Sequence, residues 1–338
     1  MIALLAGCSS APQPAANVEV DQEFLANFKP APAVMEDAKN PITEEKVQLG
    51  RMLYYENRLS RNQKLSCNTC HLLDKYGVDS ASTSTGHKEQ KGNRNAPTVY
   101  YAAGHILQFW DGRAADVEEQ AGGPMLNPVE MAMPKAEVVE ATLKSMPGYV
   151  DAFKKAFPQD KNPVTFGNAA KAIAAFERKL VTPSRWDKFL EGDKAALTNE
   201  EKAGFLAFYK AGCHSCHNGP FVGGLLYQKA GLRKPWPSQK DQGRFEVTKK
   251  DSDKMMFKVP SLRNIEKTGP YFHDGSVPTL EEAIRLMGEH QTERPLTDTE
   301  VKQIATWMKS LTGELPAEYI KKPELPASTD KTPKPEAD

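Results

Sequence analysis

The sequence predicts a mainly helical chain built from two similar halves joined by long loops. Three observations carry this. The pentapeptide Cys67-Asn68-Thr69-Cys70-His71 returns as Cys213-His214-Ser215-Cys216-His217. Its surroundings return at a fixed offset (260 − 97 = 163): Pro97-Thr98 with Pro260-Ser261, Phe109-Trp110-Asp111-Gly112 with Phe272-His273-Asp274-Gly275, and Glu118-Glu119 with Glu281-Glu282. Elsewhere apolar residues recur at helical rather than strand spacing.

In chain order, the start is Met1 to Cys8, an apolar run in which Leu5-Ala6-Gly7-Cys8 looks like a bacterial lipobox, with no positive segment before it. On that reading Cys8 carries a lipid anchor; the bland alternative is a stray thiol in a short apolar start. Residues 1–20 then form a signal and an Ala/Pro/Ser-rich tether. Residues 21–180 form a first domain. Its feeding helix, Lys46 to Tyr55, has Leu49, Met52 and Leu53 at helical spacing. Helices are also expected over Ala136–Ser145, Tyr149–Ala156 and Asn168–Leu180. The polar stretch Lys75 to Arg94 has neither period and reads as a loop. Val181-Thr182-Pro183-Ser184 breaks the chain, and residues 181–318 form the second domain. Its helices are expected over Ser184–Glu191, Glu200–Tyr209, Leu280–Met287 and Asp298–Leu311. Thr297 and Glu300 are spaced as a capping box for the last of these. Residues 319–338, with four prolines among charges, read as a flexible tail.

The 338 residues carry 44 basic and 44 acidic side chains, so net charge is zero and nothing draws the chain generally to nucleic acid. No stretch approaches the roughly 20 apolar residues of a membrane-spanning helix. The chemistry lies in the cysteines. C-x-x-C-H is the attachment motif of c-type haem. Two thiols three positions apart on a helical turn reach both vinyl groups, and the adjacent histidine reaches the iron. A zinc site would need four ligands per metal, and the copies lie 146 residues apart (213 − 67). An internal disulfide gives the histidines no role. The four cysteines therefore predict two covalently bound haem c groups, each fed by an amphipathic helix as in a cytochrome c module.

The halves differ where a sixth iron ligand is needed. In the second, Met287 is a candidate, with Met255 and Met256 as rivals. The position 163 residues before Met287 is Pro124, which cannot ligate iron. The first haem's candidates are His87, on the loop after His71, and His105. Glu130, in a Pro/Gly-stiffened apolar segment, is a candidate general acid/base. It could equally be a surface loop residue. Gln120 is matched by Ala283 and Trp110 by His273; Trp110 is either core or an electron relay.

Together these residues resemble the bacterial di-haem cytochrome c peroxidases, from the Lys46 helix to about Pro316. The likeness rests on the two haem motifs, on residues 93–98 (NRNAPT), 109–113 (FWDGR) and 126–131 (LNPVEM), and on 257–265 (FKVPSLRNI) and 271–275 (YFHDG). The resemblance implies two cytochrome c-like haem domains. In the N-terminal, low-potential, peroxidatic one, His71 is proximal and His87 the displaceable distal ligand. Glu130 and Gln120 match the distal acid/base pair. The C-terminal, high-potential haem takes His217 and Met287, and Trp110 sits between the haems. A calcium ion is implied, with Asn95 as side-chain ligand and Thr268 and Pro270 as carbonyl ligands. The implied activity is reduction of hydrogen peroxide, with a small c-type cytochrome or cupredoxin as donor. The implied setting is the bacterial periplasm, with the lipobox reading adding a lipid anchor to the outer membrane, and the implied assembly is a homodimer. Two other readings stand beside this. Related di-haem enzymes that oxidise a protein side chain carry Tyr as sixth ligand, against which Met287 argues. A non-enzymatic electron carrier would leave Glu130 and Gln120 without purpose.

Overall fold

The computed structural model of the protein describes residues 17–336, so Cys8, the expected anchor site, lies outside the described residues. The chain is mainly helical. Its longer helices are Glu44–Tyr54, Val117–Leu126, Ala136–Lys144, Pro147–Ala156, Phe166–Glu177, Arg185–Leu190, Asn199–Lys210, Leu280–Gln291 and Asp298–Lys309. Between them run long loops and one antiparallel pair of short strands, Tyr227–Lys229 on Met256–Lys258.

Side-chain caps fix most of the helix starts. Thr43, Thr165, Thr198, Thr279 and Thr297 each accept a hydrogen bond from the first turn of the helix that follows. Thr297 and Glu300 form the expected reciprocal box. The helix Val117–Leu126 was not foreshadowed, because Gly122, Gly123 and Pro124 read as a rigid loop. Asp116 starts it by accepting from the Glu119 amide, and Pro124 falls in its last turn.

The repeat is visible in the backbone. Bridges Gln108–Ala114 and Tyr271–Val277 are equivalent, and so are the left-handed residues Phe109 and Phe272 (φ 65° and 71°) and Gly112 and Gly275 (φ 64° and 59°). Each half also contains one helix crossing closed by a glycine. A Cβ on Gly50 would lie 1.9 Å from the Ala172 carbonyl oxygen, and one on Gly204 would lie 2.1 Å from that of Gln303. Only glycine lets these backbones approach so closely.

Two large apolar clusters result. One gathers Leu49, Leu53, Tyr54, Tyr100, Tyr149, Phe153, Ile173 and Phe176. The other gathers Trp186, Phe205, Phe208, Ile304, Trp307 and Leu311. Their membership crosses the sequence. Phe28 belongs to the second cluster, with Val20, Phe24 and Leu25 against it, whereas Ile320 belongs to the first. The segment after 320, expected to be a flexible tail, lies against the first half as far as Glu336. Arg58 donates to the Pro326 carbonyl and Ser328 hydroxyl (both 2.8 Å), and Thr329 Oγ1 donates to the Ser145 carbonyl (2.8 Å). Its prolines and hydroxyls supply acceptors and donors that composition alone does not reveal.

Candidate haem sites and distal acid

Both pentapeptides fold alike. Cys67–Cys70 is one turn of α-helix and Cys213–Ser215 a 3-10 turn. In each, the histidine amide closes the turn onto the first cysteine carbonyl at 3.0 Å (His71 on Cys67, His217 on Cys213). All four thiols are free of disulfides. Burial pushes Cys70 up to about 11 and Cys213 up to about 12, so neither is a ready thiolate.

The histidines of the two pentapeptides are kept neutral. Burial lowers His71, while carbonyls of Gly77 and Pro97 pull it back; its Nδ1 lies 3.3 Å from the Gly77 oxygen. Burial takes His217 down to about 4. The Val222 and Pro260 carbonyls oppose this, but neither reaches hydrogen-bond geometry with Nδ1. A neutral ring with Nδ1 turned toward backbone carbonyls leaves Nε2 available to a metal.

In the first half, His87 is buried although it sits in a loop. Its amide donates to the carbonyls of Glu130 (2.8 Å) and Val129 (3.1 Å). Thr85 and Lys91 bridge across the loop, and Lys88 and Glu89 both take left-handed backbone (φ 56° and 59°). Nδ1 of His87 is buried without a protein partner. The loop is therefore docked and strained at once, with an unsatisfied ring nitrogen.

Glu130 lies beside the first motif: its charge acts on both Cys67 and Cys70. Burial raises its carboxyl above the usual range, opposed by Arg113 and by Asn127, whose Nδ2 donates to Oε1 at 2.8 Å. Gln120 is half-buried on the Val117–Leu126 helix, which leads directly into this turn.

In the second half, Cys213, Cys216, His217 and Met287 line one cavity of about 300 Å³. Met287 is the one of the three candidate methionines on its wall. Met255 is buried instead with Trp236 and Phe257. His105 lines this same cavity, which separates it from the role of first-half distal ligand. Trp110 is also on the wall; its Nε1 donates to the Asn95 carbonyl (2.9 Å), and its ring stands edge-on to His273, 6.4 Å between centroids. Asn95, Thr268 and Pro270 all line this cavity. Asn95 Nδ2 is committed to the Ala81 carbonyl (2.9 Å), whereas Asn95 Oδ1 and the carbonyls of Thr268 and Pro270 accept no hydrogen bond among the described residues.

The residues thus fit haem at both motifs: paired free thiols, a neutral histidine after each pair, and buried ring nitrogens without protein partners. Comparison with known proteins agrees. Residues 44–195 match the model of the family described as di-haem cytochrome c peroxidase. The chain is 47% identical to a cytochrome c551 peroxidase of Pseudomonas aeruginosa, over 92% of this chain and 90% of that one. The chain belongs to the di-haem cytochrome c peroxidase family. It is also 48% identical to a cytochrome c551 peroxidase of Nitrosomonas europaea, over 88% of each. A solved MauG-like protein associated with microbial copper homeostasis superposes with a TM-score of 0.77 at 31% identity, covering 86% of this chain and 97% of that one.

For this di-haem peroxidase the sequence reading missed two kinds of residue. Asn127 and Arg113 tune Glu130; the three-residue step from Asn127 to Glu130 across Pro128 was the available signal. Lys258, buried on the wall of the second cavity, carried no signal beyond its charge among apolar neighbours.

Proposed function

We propose that the chain reduces hydrogen peroxide to two waters, using two electrons delivered by a small c-type cytochrome or copper protein and two protons. Two cytochrome c-like haem domains, 21–180 and 181–318, divide the work. Haem supplies the redox-active iron, at the first motif for peroxide and at the second for electrons received from the donor.

The rest falls to side chains. His71 would hold the iron of the first haem, and His87 would be its displaceable second ligand; the left-handed residues and docked amide of the His87 loop suit a segment with two positions. Glu130 then accepts a proton from the near oxygen of peroxide and returns it to the far oxygen, which leaves as water. Gln120 hydrogen-bonds the substrate. His217 and Met287 would hold the high-potential iron, with Trp110 between the two sites. The free oxygens of Asn95, Thr268 and Pro270 suit calcium, a hard cation that takes carbonyl ligands. Periplasmic location, a Cys8 lipid anchor to the outer membrane and a homodimer complete the proposal.

The observation that carries this reading is Glu130, a half-buried carboxyl beside a haem-attachment turn and joined through its own carbonyl to the amide of His87. An electron carrier has no use for it. Replacing Glu130→Gln in the holoprotein should leave both haems attached and lower steady-state peroxide turnover by roughly 10²–10⁴-fold. Turnover within tenfold of the parent would reject the role.

A further inference from the structure

The second cavity contains a positive charge that no carboxylate among the described residues answers. Lys258 is buried, and among the described residues no carboxylate lies within ion-pair distance of it. Its Nζ has one polar contact, Nδ1 of His105 at 3.0 Å. Both residues line the cavity shared by Cys213, Cys216, His217 and Met287.

The pair is built, not incidental. The Lys258 amide donates to the Trp110 carbonyl at 2.8 Å, which fixes the start of the side chain. The His105 ring lies edge-on to Phe221 and against Gly224, where a Cβ would stand 2.3 Å from Cδ2. Burial and the Lys258 charge hold His105 well below its ordinary range, so its ring is neutral. A neutral ring that accepts from an ammonium at Nδ1 carries its own proton on Nε2. Nε2 is buried and has no partner. The pair therefore offers the cavity the remaining ammonium hydrogens and one imidazole N–H, all donors. A buried ammonium without a counter-ion is unstable in its charged form; burial alone brings Lys258 down to about 8. What the site needs is an anion with more than one acceptor oxygen.

We propose that Lys258, steadied by His105, is the counter-cation of a propionate carboxylate of the second haem, and that its charge helps to set that haem's high potential. The inference rests on the reading of this cavity as a haem site. The physical reason for the second part is simple. A fixed positive charge beside the haem disfavours the ferric state, which carries one positive charge more than the ferrous, and so favours reduction. Lys258 acts through charge on the group, not on substrate, and is a positioning residue.

The test is potentiometric titration of the holoprotein, parent against Lys258→Met and Lys258→Arg, with haem counted in each preparation. At one applied potential, the reduced-to-oxidised ratio of the second haem should fall about tenfold in Lys258→Met, a shift of about 59 mV for one electron. In Lys258→Arg it should stay within threefold. A fall of less than threefold in Lys258→Met, with two haems attached, overturns the proposal. Loss of the second haem in Lys258→Met but not in Lys258→Arg supports it, because arginine keeps the positive charge that methionine removes; loss in both overturns it. Fewer than two haems in the parent would count instead against the haem reading itself.

Discussion

At Glu130 two opposed influences meet: burial raises the carboxyl, and Arg113 and Asn127 hold it down. A base must be ionised before it can take the peroxide proton, so turnover is lost as pH falls through this raised value. The acid limb of the pH–rate profile should therefore lie above that of an ordinary glutamate. Asn127→Leu removes a hydrogen bond that favours the ionised form and should move the limb further up; a limb that stays or moves down would deny Asn127 this part. Met287 tests the other site. A thioether opposite histidine raises the potential, so Met287→His should lower it by a sizeable part of the roughly 0.8 V that axial ligands span. An unchanged potential would pass the role to another residue. The pentapeptides were legible because their chemistry is local; Glu130 and Met287 were singled out by the family resemblance, since a glutamate in a loop or one methionine among three carries no such mark. The choice between His87 and His105 was not legible. It depends on which cavity wall each reaches, and a lone histidine carries no such address.

Among the elements, helices were legible where a threonine cap met an apolar stripe, as at Thr297 and Thr198. They were obscured where the last turn contained Gly122, Gly123 and Pro124. The strand pair Tyr227–Lys229 and Met256–Lys258 escaped notice because three residues are too few to show a period of two. The glycine crossings carry the firmest prediction at this scale. With 2.1 Å available at Gly204, a side chain there must push the Asn199–Lys210 helix off Asp298–Lys309. Gly204→Val should cost about 1–3 kcal/mol or more of stability, read as a lower chemical-denaturation midpoint. A midpoint equal to the parent's would mean the helices separate without penalty.

For the whole molecule, the proposed function couples the two sites through His87. If reduction of the second haem releases this ligand, His87→Ala should turn over peroxide without prior reduction, and its oxidised spectrum should match that of the half-reduced parent. A variant that still requires reduction would place the trigger elsewhere. The duplication was plain from its 163-residue offset, but the crossing of the chain ends was not, since pattern shows what an apolar segment is and not which core it joins. That crossing bears on biogenesis. The segment containing Phe28 is synthesised early yet packs with Trp186 and Phe205, whereas Ile320, near the end, packs with the half made first. The first core is not complete until Ile320 has been made, and the second draws on Phe28 made long before the rest of it, so a protein cut at residue 181 would give each half a piece of the other's interior.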